Sequence, residues 1–279
     1  SWGTGFNLCL GHGSHANEKY PKPIKSLKEK GVIQVAVGPQ HCSALCSSGQ
    51  IYSWGIGLNG RLGHGNIQDS SAPKMLASTK KNCTAVQIAC GAAHSAYLTQ
   101  DGKLYSWGRG LNGELGNGER HDQWTPNLVL RLRDLVVSYV ACGTNTTFAC
   151  TGGGLLFSWG SGKHGCLGLG DREDRLEPSL VRLREEDRII RVACGEHHCL
   201  ALTEDGKLWG WGRGTGGCHG LGHTSEVLSP HKLPMPEDRT IVSMSCGRWH
   251  SAYLTIRGDI FCFGSGRGFR YLYVPPDVN

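Results

Sequence analysis

Between residues 85 and 130 the apolar positions fall in short runs, each closed by glycine or a polar pair. The run Val86-Gln87-Ile88-Ala89-Cys90 predicts a strand ended by Gly91, and His94 to Thr99 predicts a second after the turn Ala92-Ala93. Asp101-Gly102 signals a hairpin, with glycine supplying the positive φ of a tight turn. Lys103 to Trp107 gives a third strand. A glycine-rich arc from Gly108 to Gly118 follows, and a segment near Pro126 to Leu130 gives a fourth. Proline suits an outer edge, where a missing N–H costs least. Tyr105 and Trp107 lie two apart and share one face, while Leu104 takes the other, so both faces of the sheet are apolar. Such a unit needs a neighbour on each side.

The neighbours are copies. Trp-Gly returns at Trp2, Trp54, Trp107, Trp159 and Trp211, at intervals of 52, 53, 52 and 52 residues, and weakens to Phe263-Gly264 after another 52. Four short antiparallel strands repeated at constant period predict an all-β propeller of four-stranded blades. About five and a half repeats are expected. These are a partial unit over 1–31, full units over 32–84, 85–135, 136–187 and 188–239, a partial unit over 240–264, and a diverged tail over 265–279. The tail carries Tyr271 to Pro275 where the arc should continue. Ser1-Trp2-Gly3 falls mid-repeat, so the chain is expected to be cut from a longer protein.

Composition adds limits. Glycine supplies 42 of 279 residues at fixed places in the repeat, which argues against low complexity. The 13 cysteines do not read as a disulfide framework. Cys90, Cys142, Cys194 and Cys246 share one register that holds Val37 in the first copy, the mark of a small buried apolar site. That favours an intracellular protein, cytoplasmic or nuclear. The glycosylation-type triplets at Asn82 and Asn145 are too short to overturn it. The apolar runs are strand-length, so no membrane span is expected. Net charge is only +6, and the run Lys19, Lys22, Lys25, Lys28 and Lys30 reads as a solvated connection, so nucleic acid or chromatin is not an expected partner of this segment.

The repeat also tests every candidate motif. Gly-x-Gly-x-x-Gly begins at Gly55, Gly108, Gly160 and Gly212, but no helix follows to hold a pyrophosphate, so these are turns rather than nucleotide sites. His41, His94, His198 and His250 recur beside a turn and are expected to bond local backbone; Thr146 takes that register in the remaining copy. Cys194, His198 and Cys199 align with Cys90, His94 and Ser95, which removes a zinc reading. Cys218, His219 and His223 lie in an arc read as two residues longer than its counterparts, from the Trp211–Leu221 spacing. No catalytic triad or carboxylate pair stands clear of the background. Trp209 and Trp124 read as packing.

The string Val-x-x-x-Cys-Gly-x-x-His, then Asp-Gly-x-Leu-Tyr-Ser-Trp-Gly-x-Gly-x-x-Gly-x-Leu-Gly-x-Gly, resembles the repeat of the regulator-of-chromosome-condensation family. It runs from Cys90 to Gly118, and with small changes from Ala36 to Gly65, Cys142 to Gly170 and Cys194 to Gly222. The resemblance implies a seven-bladed ring, which at this period takes about 364 residues. It also implies a non-enzymatic protein-interaction module without a cofactor, metal or small-molecule substrate, within a larger regulatory protein. The alternative is a guanine-nucleotide exchange factor for a Ran-like small GTPase. The family's plant ultraviolet-B receptor implies several Gly-Trp-Arg-His-Thr turns; this chain has one related turn, Gly247-Arg248-Trp249-His250-Ser251. Up-down topology puts the first turn and the arc of each blade on one face, and variable loops on a regular scaffold are where recognition resides. The expected contact residues are Arg248 and Trp249, then Glu196, His197, Cys218 and His219.

Overall fold

A computed structural model describes residues 1–79, 85–183, 187–234 and 240–265. Five antiparallel sheets follow one another along the chain. Blade one holds β1 (Val32–Val37), β2 (His41–Cys46), β3 (Ile51–Gly55) and β4 (Ser70–Met75). Blade two holds β5 (Ala85–Cys90), β6 (His94–Thr99), β7 (Leu104–Gly108) and β8 (Gln123–Leu128). Blade three holds β9 (Val137–Cys142), β10 (Thr146–Thr151), β11 (Leu156–Gly160) and β12 (Arg175–Val181). Blade four holds β13 (Ile189–Cys194), β14 (His198–Thr203), β15 (Leu208–Gly212) and β16 (Val227–Lys232). Blade five shows β17 (Ile241–Cys246), β18 (His250–Thr255) and β19 (Ile260–Gly264) among the described residues. The first strands of successive blades lie against one another, which makes them the inner strands of a β-propeller. Asn82 and the tail beyond Ser265 lie outside the described residues.

The tryptophan period has a geometric cause. In each four-stranded blade the pairing of third and fourth strands skips one residue at the tryptophan, between Ser53 and Gly55, Ser106 and Gly108, Ser158 and Gly160, or Gly210 and Gly212. The fourth strand spends four residues there against two of the third, so a bulge lies opposite each tryptophan, whose indole packs on the preceding blade. Trp107 sits with Leu45, Ile51 and Leu76 of blade one. Its N–H then donates to a main-chain carbonyl of that neighbour's arc. The four bonds are Trp54 to Cys9 at 2.8 Å, Trp107 to Arg61 at 2.9 Å, Trp159 to Glu114 at 3.0 Å and Trp211 to Cys166 at 2.8 Å.

The same rings explain one recurrent glycine of the arc. A Cβ added to Gly63, Gly116 or Gly168 would lie 2.8, 2.7 or 2.9 Å from the indole nitrogen of the next blade's tryptophan. Each of these glycines also has a positive φ, so no other residue fits without strain.

The recurrent histidines do not bond local backbone as expected. They reach across the seam instead: His41 Nε2 lies 2.8 Å from Ser95 Oγ, His94 Nε2 2.9 Å from Thr147 Oγ1, and His198 Nε2 2.8 Å from Ser251 Oγ. Those hydroxyls in turn donate to the arc carbonyls of Arg61, Glu114 and Cys218. His250 is exposed. Trp209 is buried as packing requires. Trp124 is 48% exposed, yet it lies over Gly60 of the preceding arc.

Each seam buries one face from each blade. Leu98 and Leu104 of blade two face blade three, and Phe148 of blade three packs with Trp209 and Trp211 of blade four. Ile51, Leu104, Leu156 and Leu208 are at most 1% exposed, whereas Ile260 at the same register of blade five is 71% exposed. At the other end Val35 is 57% exposed, against 2% for Ile88 and 1% for Val140. Residues 1–31 form part of a unit before blade one. Gly3 bridges Glu18, and Cys9, Ile24 and Leu27 pack on Cys42, Ala44 and Trp54.

Candidate functional site

One face of the propeller carries both the first turn and the arc of every blade. The backbone N–H after each third-strand glycine donates to the second turn residue: Ile56 to Gln40, Arg109 to Ala93, Ser161 to Asn145, Arg213 to His197 and Ser265 to Trp249, all at 2.8–2.9 Å. The Asp-Gly hairpins lie away from this face, against the connection into the next blade, where Val137 N–H donates to Gly102.

On this face the turns of blades four and five meet. Each is a two-residue turn closed by its flanking pair, with Gly195 N–H donating to His198 and Gly247 N–H to His250. That geometry projects Glu196 and His197 from one blade and Arg248 and Trp249 from the next. Arg248 forks onto Glu196, with Nε 3.0 Å from Oε2 and Nη2 2.9 Å from Oε1. Trp249 Nε1 donates to Glu196 Oε2 at 2.6 Å, and the Arg248 guanidinium lies 4.6 Å from the Trp249 ring centroid. These three charge-assisted bonds hold the Glu196 carboxyl down to about 2, with Arg248 the largest cause. Trp249 remains 41% exposed, a large apolar ring fixed in one pose at the surface.

His197 faces the other seam. Its ring lies 4.8 Å from that of His164 in the blade-three arc. Burial lowers its pKa, and the charges of His164, Lys163 and Arg213 lower it further against the pull of Glu196. His164 approaches Glu226 at 3.4 Å, and Arg172 bonds the same carboxylate at 2.7 Å.

Cys218 lies within the seam of blades four and five, its carbonyl accepting from Ser251, and neither it nor His219 reaches the surface. Both are buried, the thiol donating to Arg213 O at 3.0 Å as Cys166 does to Ser161 O in the previous blade. His219 accepts from Leu221 N–H at Nδ1 and lies 2.9 Å from Ser225 O at Nε2, which fixes a neutral ring with both nitrogens satisfied. The arc that holds them is not two residues longer than the others. Gly220 lies against Phe263 as Gly168 lies against Trp211, so His219 stands at the register of Leu167. Matching Leu221 to Leu167 created the apparent insertion. Among the described residues no three His, Cys, Asp or Glu side chains converge in a metal-holding group.

Sequence reading passed over two charges at a single register of the arc. Arg61 and Glu114 occupy the position of Cys9, Cys166 and Cys218, seven residues after the tryptophan, and both are buried. Arg61 is satisfied by Leu58 O, Gln40 Oε1, Asn59 Oδ1 and Ala92 O. Glu114 accepts from Asn112 N–H at 2.7 Å through Oε2; its Oε1 has no hydrogen bond, with Arg109 Nε 4.0 Å away. A comparison across copies at that register exposes both as departures from a thiol position.

Comparison with known proteins agrees with this architecture. The sequence profile described as "RCC1-like domain" matches residues 1–271. The ultraviolet-B receptor UVR8 of Arabidopsis thaliana is 38% identical over 266 residues, 95% of this chain and 60% of the receptor. The E3 ubiquitin-protein ligase HERC2 of Homo sapiens is 34% identical over 252 residues, 88% of this chain but 5% of the ligase. Among solved structures, yeast RCC1 (Prp20) bound to Kap60 superposes with a TM-score of 0.83 at 29% identity, covering 94% of this chain and 63% of that chain. The chain thus spans about three fifths of the first relative and a small part of the ligase. Its repeated arcs, tryptophan-bonded seams and profile match make it a member of the RCC1-like domain family.

Proposed function

We propose that this domain is a non-enzymatic protein-interaction module that docks its partner on the turn-and-arc face at the seam of blades four and five. The observation that carries the reading is the pose of Trp249. It is exposed, yet held by Glu196 and stacked beneath Arg248, so little ordering is left to pay for on binding. Tryptophan and arginine are the residue types most enriched among interface anchors. The reading takes 1–264 as the repeat array and a ring of seven such units as its complete form. It puts the protein in the cytoplasm or nucleus, which the unpaired thiols support. A partner captured from cell extract should lose affinity by about 2 kcal/mol or more on Arg248→Ala or Trp249→Ala. Unchanged capture by both variants sinks the proposed surface.

The second reading, a guanine-nucleotide exchange factor for a Ran-like GTPase, is supported by the likeness to yeast RCC1. Stimulated nucleotide release from a panel of small GTPases would establish it, and release no faster than the spontaneous rate would remove it. Ultraviolet-B reception, suggested by UVR8, has only one Arg–Trp turn on this face to support it.

A further inference from the structure

The charges around Trp249 are unevenly consumed. Towards the rim of blades three and four three carboxylates are occupied, Glu226 by Arg172 and His164, Asp171 by Arg175, and Asp174 by the Gly162 N–H and Arg120, while Glu173 and Glu177 are exposed and make no ion pair among the described residues. Glu196 is saturated as well, with Oε1 taken by Arg248 Nη2 and Oε2 shared by Arg248 Nε and Trp249 Nε1. The cations nearer His197 lack such partners. Lys163 is exposed and Arg213 half-exposed, and neither makes an ion pair among the described residues. Among the described residues the side chain of Arg213 bonds only Thr215, from Nε at 2.9 Å. Arg248 keeps Nη1 outside its fork and is 67% exposed along its side chain.

The three cations belong together spatially. Arg213 follows the β15 glycine, and its N–H donates to His197 O, while His197 leads directly from Glu196, the partner of Arg248. Lys163 precedes His164, whose ring contacts His197. Lys163 and Arg213 both act electrostatically on His197, with the sign of positive neighbours. Cations that outnumber the one carboxylate among them, Glu196, beside an exposed indole attract a partner of opposite charge and give it an apolar foothold.

We propose that Lys163, Arg213 and Arg248, flanking His197 and Trp249, form a docking surface for an acidic peptide segment, in which consecutive Asp or Glu carboxylates pair with the three cations. The assignment rests on the interaction reading above and names the chemistry of its partner. The internal Arg248–Glu196 fork is one carboxylate already seated among these cations, and Lys163 and Arg213 carry no ion pair among the described residues with which a second would compete.

The test uses a fluorescently labelled oligo-aspartate peptide, its oligo-asparagine counterpart and a labelled single-stranded oligonucleotide, read by anisotropy. The acidic peptide should bind, and the asparagine peptide should not. Lys163→Glu with Arg213→Glu should weaken binding by about tenfold or more, and affinity should fall steeply as salt rises through about 0.1 M. Lys232→Glu, on outer strand β16, should leave it unchanged. Absent binding, an equal loss with Lys232→Glu, or equal affinity for the oligonucleotide overturns the proposal. The captured partner of the preceding section separates the two ideas. If Trp249→Ala abolishes its capture while Lys163→Glu with Arg213→Glu spares it, the interaction surface stands and its acidic-peptide chemistry fails.

Discussion

The indole N–H of Trp159 donates to the main-chain carbonyl of Glu114, 45 residues earlier and one blade away, at 3.0 Å. The bond is buried, and the carbonyl's other donor is the Thr147 hydroxyl. Trp159→Phe should therefore keep the fold and cost about 1 kcal/mol for the bond, plus a smaller packing loss. Trp159→Ala opens a cavity and should cost roughly 3–5 kcal/mol. Gly116→Ala, which drives a Cβ to 2.7 Å from the same indole, should destabilise more than Gly170→Ala, where nothing lies within 4 Å. Urea denaturation of the four variants checks the order.

The seam histidines predict acid sensitivity. Burial pushes His94 and His198 down to about 4 and His41 to about 3, so all three are neutral in the fold. In the unfolded chain they take up protons near pH ~6.5. Their stabilising contribution is thus complete above that value and lost as pH falls from ~6.5 through ~4, by up to roughly 3 kcal/mol for a histidine lowered to about 4. His94→Thr copies the blade-three register, where Thr146 stands. It should remove about one proton from the slope of stability against pH in that window, although it also loses the bond to Thr147. An unchanged slope between His94→Thr and the parent would show that His94 is not held neutral.

The Glu196 carboxylate follows the same sign in a more acidic window. Its lowered pKa means that its contribution is present above the ordinary carboxylate range and disappears as pH falls through about 2. The cluster is open to solvent, so Glu196→Gln should change stability by less than about 1 kcal/mol at neutral pH. Its larger effect should fall on Trp249, whose emission should shift and gain sensitivity to acrylamide once the anionic acceptor is gone. The other buried tryptophans make a Trp249→Phe background the necessary control.

Thiol chemistry should be selective. Burial raises Cys90 and Cys218 to about 11 and Cys150, Cys166 and Cys246 to about 12, which keeps them protonated at pH ~8 and slow to alkylate. Cys262 is exposed, and Cys9 is half-buried with its pKa lowered mainly by the hydrogen bond from Cys42. Iodoacetamide labelling followed by peptide mass mapping should find Cys9 and Cys262 modified ahead of those five. Equal labelling throughout the native protein would contradict the burial assigned to the seams.

The strands were legible because alternation and turn residues are local signals. Leu104 against Tyr105 and Trp107 already declared two buried faces. The tryptophan's acceptor was not legible, because a main-chain carbonyl leaves no mark on side-chain identity, and its bearer is Cys9, Arg61, Glu114 or Cys166 in turn. The histidines were misread for a related reason, since their partner hydroxyls lie 53 or 54 residues on. Glu196 and Arg248 were both recognisable as turn residues that vary between copies. Their union needed adjacent blades to bring equivalent turns together. His219 shows the limit of aligning by one residue type, because a neighbouring leucine two positions on mimicked an insertion.

The seam bonds have a direction. Every indole gives its proton backward along the chain and every histidine nitrogen looks forward, so the array has a polarity like that of a zip fastener, with unlike ends. Each unit is coupled only to the units beside it, and the two bonds at any seam form or break together with the apolar surface between them. Opening should start at the termini and travel inward, with amide exchange slowest in β9–β11, flanked on both sides, and fastest in β17–β19. A unit that joins at the β17–β19 end would have to bring a hydroxyl for His250 and an indole facing back, whereas one at the opposite end would have to offer the reverse.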